Sequence, residues 1–91
     1  MDPFQSRGAL LRAEAKALVQ EFMHATPVCR PGGDGMRLSP LFRACGFDWG
    51  EHEKATSSNQ QYWVVALMRE LESEGMVERI ASSHRLRLPS G

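Results

Sequence analysis

Apolar residues recur at helical spacing through Leu11, Ala15, Leu18, Val19 and Phe22, which puts them on one stripe. Glu14, Lys16, Gln20 and Glu21 fall outside that stripe, and the pattern predicts a first helix over Gly8–Ala25. Thr26-Pro27 ends it, because a residue before proline is pushed out of the helical region. Residues 26–35 contain Pro31-Gly32-Gly33-Asp34-Gly35 and read as an exposed loop. Met36-Arg37-Leu38 is a short extended piece. Ser39 is the predicted N-cap of a second helix, with Pro40 at the first helical position, where its missing N–H costs nothing. That helix carries Leu41, Phe42, Ala44 and Cys45, and Gly46 stops it. Residues 47–56 form a connection of undefined shape holding Asp48, Trp49 and Glu51-His52-Glu53-Lys54.

The strongest element signal comes next. Ser57 and Ser58 each stand three residues before a glutamine (Gln60, Gln61), so either opens a capping box, and the helix runs to Glu74. At 100° per residue, Trp63, Val64, Leu67, Met68 and Leu71 share a side predicted to be core. Ser58, Tyr62, Val65, Ala66, Arg69 and Ser73 share the opposite, outward side. Gly75 is the predicted C′ residue, followed by Met76 as in a Schellman ending. Residues 76–80 and 84–88 then alternate as two strands around the polar turn Ala81-Ser82-Ser83, with their apolar residues toward the helices.

Composition narrows the class. Ninety-one residues, 42% apolar and 24% charged, suit one small globular domain. No apolar run reaches the roughly 18–20 residues of a membrane span, and the first residues lack the basic flank and apolar stretch of a signal peptide. Two cysteines are too few for a disulfide framework, which favours a reducing cytoplasmic or nuclear setting. Eleven basic and eleven acidic residues balance, so any nucleic-acid contact comes from a local patch rather than a whole-surface field. The last third places Glu70, Glu72, Glu74 and Glu78 before Arg85 and Arg87, which makes a small basic tip on a neutral body. Residues 1–7 are expected to be a tail, 8–88 the domain, and 89–91 the start of a linker into a longer protein.

Helix, short strand, helix, helix, hairpin is the element order of a winged helix-turn-helix domain. The run Leu67-Met68-Arg69-Glu70-Leu71-Glu72-Ser73-Glu74-Gly75-Met76-Val77-Glu78-Arg79 resembles the end of the recognition helix in MarR-like and related winged-helix proteins. Leu67, Leu71, Gly75, Met76 and Val77 occupy that family's pattern, followed by a wing-like hairpin. The resemblance covers Gly8–Leu88 in element order and residues 57–88 in motif. It implies a mainly α fold with a small β-hairpin (α+β), a three-helix core and a two- or three-stranded antiparallel wing sheet. It also implies double-stranded DNA as partner, with the third helix in the major groove and the wing on the backbone.

By that resemblance, Asn59, Gln61, Tyr62, Val65 and Arg69 form the reading face. Asn and Gln suit adenine and Arg suits guanine. Ser57 and Ser58 sit at the helix N-terminus, where free N–H groups accept a phosphate. Ser82, Ser83, His84, Arg85 and Arg87 lie on the wing, with Trp49 and Lys54 as auxiliary contacts. Against this stand the ten-residue connection before the third helix and the acids Glu70 and Glu72 beside its single cation, Arg69. A winged helix that binds a protein partner, or other domains of the same chain, is the alternative, motivated by net neutrality and by outward Val65, Ala66 and Tyr62.

Other chemistry is thinly supported. His24, Cys29, Cys45 and His52 lack zinc-ligand spacing, Cys45 reading as a small buried residue and Cys29 as a loop thiol. Gly32-Gly33-Asp34-Gly35 lacks the Lys-Ser/Thr of a phosphate loop. No nucleophile stands with a base, so no metal, cofactor or catalytic residue is expected and the domain alone is not read as an enzyme.

Overall fold

A computed structural model describes residues 2–47 and 62–90. Helix α1 (Pro3–Ala25) is followed by a 3-10 turn (Pro27–Cys29), α2 (Leu38–Ala44), α3 (Tyr62–Ser73), and strands β1 (Glu78–Arg79) and β2 (Leu86–Arg87). The fold is mainly helical with a small antiparallel sheet. Among the described residues, no helix is long and apolar enough to cross a membrane.

The first helix starts at Pro3 rather than Gly8. Asp2 is its N-cap, and the carboxylate accepts the Phe4 N–H at 2.8 Å. Pro3 fills the first helical position, so Asp2-Pro3 is the start signal that apolar periodicity alone overlooks. Only the C-terminal half of α1 reaches the core, through Val19 and Met23, with Ala15 and Phe22 partly buried. Leu11 and Leu18, expected in the core stripe, stay 63% and 42% exposed because the face of α1 that packs on the body is the one bearing Val19 and Met23.

The loop expectation for residues 26–35 also needs correction. Pro27–Cys29 forms the 3-10 turn and drives Cys29 fully into the core, where its carbonyl accepts the Leu88 N–H at 2.7 Å. Cys29 is therefore a core residue, not an incidental loop thiol, and Cys45 is only half-buried. Helix α2 begins at Leu38, with Arg37 as N-cap, so Ser39 and Pro40 lie inside its first turn. Its end follows expectation. The Gly46 N–H reaches the Arg43 carbonyl at 3.0 Å and the Phe47 N–H the Phe42 carbonyl at 2.9 Å, with Gly46 at φ 76°.

Helix α3 supplies the centre of the core through Val64, Leu67, Met68 and Leu71. Trp63, predicted inward with them, is 43% exposed and instead tilts against Phe47, ring centroids 5.3 Å apart. It lies at the edge of the apolar arc, where an indole covers the core rim without entering it. The Schellman ending is present: Gly75 at φ 76° donates to Glu72 at 3.1 Å and Met76 to Leu71 at 2.9 Å. The predicted first turn of this helix, with Ser57, Ser58, Asn59 and Gln61, lies outside the described residues, as do Trp49 and Lys54 in the connection.

The hairpin pairs Glu78 with Arg87 and Arg79 with Leu86, in shorter strands than predicted. Val77, Leu86 and Leu88 are buried while Met76 is exposed. Leu86 also exchanges both backbone hydrogen bonds with Met36, at 2.9 and 2.8 Å. The extended piece predicted around Met36 thus lies against the outer side of β2 as a one-residue bridge.

Candidate nucleic-acid interface

The Met36–Leu86 bridge decides the geometry. It brings Arg37, next to Met36, beside the hairpin, so that residues distant in sequence surround one groove. Arg37, Arg85 and Arg87 line this groove of about 520 Å³, with Gly32, Gly33 and Asp34 on one wall and Ser82 and Ser83 on the other. Gly35 makes the close approach possible. At φ 83° it is buried, and a Cβ there would stand 2.9 Å from the Arg85 Cβ and 3.1 Å from the Leu86 carbonyl oxygen.

The three arginines are not equivalent. Arg87 pairs with Glu78 and donates to the Gly33 carbonyl at 2.9 Å, so it braces the groove wall. Arg37 is exposed and Arg85 half-exposed, and neither guanidinium has a carboxylate partner among the described residues. Ser83 closes the turn, its hydroxyl accepting the Arg85 N–H at 3.3 Å. Ser82 is exposed at the tip. His84 is exposed at φ 61°, a left-handed conformation that non-glycine residues adopt at a cost, held by its N–H to the Ile80 carbonyl at 2.7 Å.

On α3, Arg69 and Ala66 are exposed and Val65 is half-buried, so the outward side expected from periodicity is outward along this stretch. Tyr62 is the first residue of the helix. The acids that crowd Arg69 in the sequence are neutralised from elsewhere. Lys16 of α1 bonds to Glu70 and, at 3.1 Å, to Glu74, while Arg79 of β1 takes Glu72 at 2.6 Å. Hydrogen bonding to Lys16, then its charge, holds the Glu70 carboxyl below the ordinary carboxylate range, and the Lys16 ammonium is correspondingly raised. Arg69 remains a cation without an ion-pair partner among the described residues.

No protein-family model, curated protein or solved structure matches the chain. Its function therefore has to be read from its own residues. Among those described, no group of three or more His, Cys, Asp and Glu residues is placed to hold a metal ion. Burial pushes the Cys45 thiol up to about 11, and Cys29 is raised for the same reason, so neither thiol is activated as a nucleophile. Arg37 is the feature that sequence reasoning passed over. Its signal was the extended Met36-Arg37-Leu38 next to a glycine run, which becomes informative only when that piece is laid against the wing.

Proposed function

We propose that the chain is a DNA-binding winged-helix module, with α3 in the major groove and the hairpin on the phosphate backbone, serving as the targeting domain of a larger protein. One observation carries this reading: Arg37 and Arg85, from different elements, stand on one groove at the hairpin without carboxylate partners among the described residues. Guanidiniums without a carboxylate partner among the described residues, beside the exposed Ser82, suit phosphate oxygens. The one-residue Met36–Leu86 bridge beside the two-stranded hairpin is compatible with a small wing sheet, and the strained His84 at the hairpin turn fits a contact residue. The ion pairs from Lys16 and Arg79 support it by removing the acidic objection to α3.

A titration of the isotope-labelled chain with random duplex at about 20 mM salt tests this, since phosphate contacts are strongest at low salt. Amide shifts are expected at residues 32–37, 82–85 and along the Ala66–Arg69 side of α3. Unmoved spectra would remove the DNA reading. A protein-interaction winged helix is the second reading, favoured by exposed Ala66 beside half-buried Val65 and by the zero net charge. Binding of that kind survives high salt.

A further inference from the structure

Ser82 is exposed at the tip of the hairpin turn, and its hydroxyl has no hydrogen-bond partner among the described residues. Ser83 beside it is half-buried, and its hydroxyl already accepts the Arg85 N–H. Both serines line the groove shared by Arg37, Arg85 and Arg87. Arg87 is committed to Glu78 and to the Gly33 carbonyl, whereas the guanidiniums of Arg37 and Arg85 have no partner among the described residues. Asp34 is the one carboxylate among the described residues that line the groove, so the lining is basic on balance. The sequence adds a second observation. Arg79 precedes Ser82 by three residues, and no acid follows Glu78. An upstream cation is the charge pattern by which basophilic serine kinases select a hydroxyl. Ser90 has the same upstream arginine, Arg87, but does not line the groove.

We propose that Ser82 is a phosphorylation site whose phosphate is captured within the chain by Arg37 and Arg85, closing the groove to any other anion. The Ser82 oxygen attacks the γ-phosphorus of ATP held by a serine kinase. The new Oγ–P bond forms as the bond from that phosphorus to the bridging oxygen of the departing ADP breaks, and the hydroxyl proton passes to the kinase's base. At neutral pH a phosphoserine carries a charge of about −1.5 to −2 and three acceptor oxygens, and opposite an arginine cluster it gains charge-assisted hydrogen bonds. Arg37 and Arg85 are free to supply them, and Asp34 is outweighed by the guanidiniums on the same lining. Ser83 is set apart as an acceptor because its oxygen already closes the turn. The capture stands without the DNA reading. Its consequence, release of duplex, rests on that reading, because the phosphate takes the two arginines assigned to the DNA backbone.

Two measurements on the full chain test it. Incubation with magnesium ATP and a basophilic serine kinase, followed by mass spectrometry of the digest, is expected to find phosphate on Ser82. Phosphorus NMR of the chain carrying phosphoserine at position 82 is expected to show a second ionisation well below the ordinary value of about 6, since nearby cations favour the dianion. Arg37→Ala/Arg85→Ala is expected to return it to that value, and phosphoserine at position 90 to show the ordinary value throughout. Alanine keeps the Arg85 Cβ beside Gly35, so the double variant is expected to stay folded, which urea unfolding checks. Phosphorylation is also expected to weaken duplex binding at least about tenfold and to take about two from its salt slope. A parent chain that binds no duplex removes the DNA reading, and the phosphorus result alone then decides the capture. A phosphoserine at 82 that ionises like the one at 90, or that ignores the two arginines, overturns the proposal. So does a kinase reaction that leaves Ser82 unmodified, or duplex bound as tightly after modification as before.

Discussion

Arg79 holds Glu72 through two parallel hydrogen bonds, Nη2 to Oε1 at 2.6 Å and Nε to Oε2 at 3.2 Å, across the turn that joins α3 to β1. The same guanidinium donates to the His84 carbonyl at 3.2 Å. One side chain therefore fixes the hairpin against the helix and cancels a charge on the helix. A lysine keeps the charge and loses the fork. Arg79→Lys is expected to cost about 0.5–1 kcal/mol in urea unfolding, the pair being partly exposed. Arg79→Met leaves Glu72 unpaired and is expected to weaken duplex binding further than Arg79→Lys.

Lys16 and Glu70 give a pH signature. The Glu70 carboxyl titrates below its ordinary value in the folded chain, chiefly through its hydrogen bond from Lys16. Its contribution is present above the unfolded carboxylate value of about 4.3 and fades as pH falls through the lower folded value. Lys16 is raised, so its contribution is present below about 10.4 and fades as pH climbs through the higher folded value. Urea midpoints measured from neutral to acid pH are expected to show Glu70→Gln less stable than the parent at neutral pH, with the gap closing in acid.

Gly35 tests the packing beneath the groove. A methyl group there meets Arg85 Cβ at 2.9 Å and Ile80 Cδ1 at 3.0 Å on a backbone at φ 83°. Gly46 and Gly75 share the positive φ but have nothing within 4 Å of an added Cβ among the described residues. Gly35→Ala is therefore expected to cost about 2–4 kcal/mol, against about 1 kcal/mol for Gly46→Ala or Gly75→Ala. Denaturant midpoints of the three variants check the order.

Thiol chemistry follows from burial. With Cys45 at about 11 and Cys29 fully buried, alkylation at pH 8 is expected to run about a hundredfold slower than for a free thiol, which titrates near 8.5. Urea should abolish the protection at both positions, as mass spectrometry of the modified chain would show.

The glycine stops and the interior of α3 were legible because they depend on local chemistry: Gly46 and Gly75 end their helices through the expected bonds, and Val64, Leu67, Met68 and Leu71 are core. The hairpin was legible in existence but not in extent. What eluded the sequence was long-range. Cys29 is buried because β2 packs over the 3-10 turn, and Arg37 reaches the wing because Met36 bridges Leu86. The ion pairs that neutralise Glu70, Glu72 and Glu74 span 54, 7 and 58 residues, and the longer two lie beyond any local pattern.

The salt dependence of duplex binding by the parent chain and by Arg37→Ala/Arg85→Ala tests the DNA reading most directly. Each phosphate neutralised contributes about 0.9 to the slope of log K against log salt. The double variant is expected to bind more weakly to every duplex and to lose about two from that slope, one for each arginine. An unchanged slope, or a parent chain that binds no duplex at low salt, would contradict the assignment.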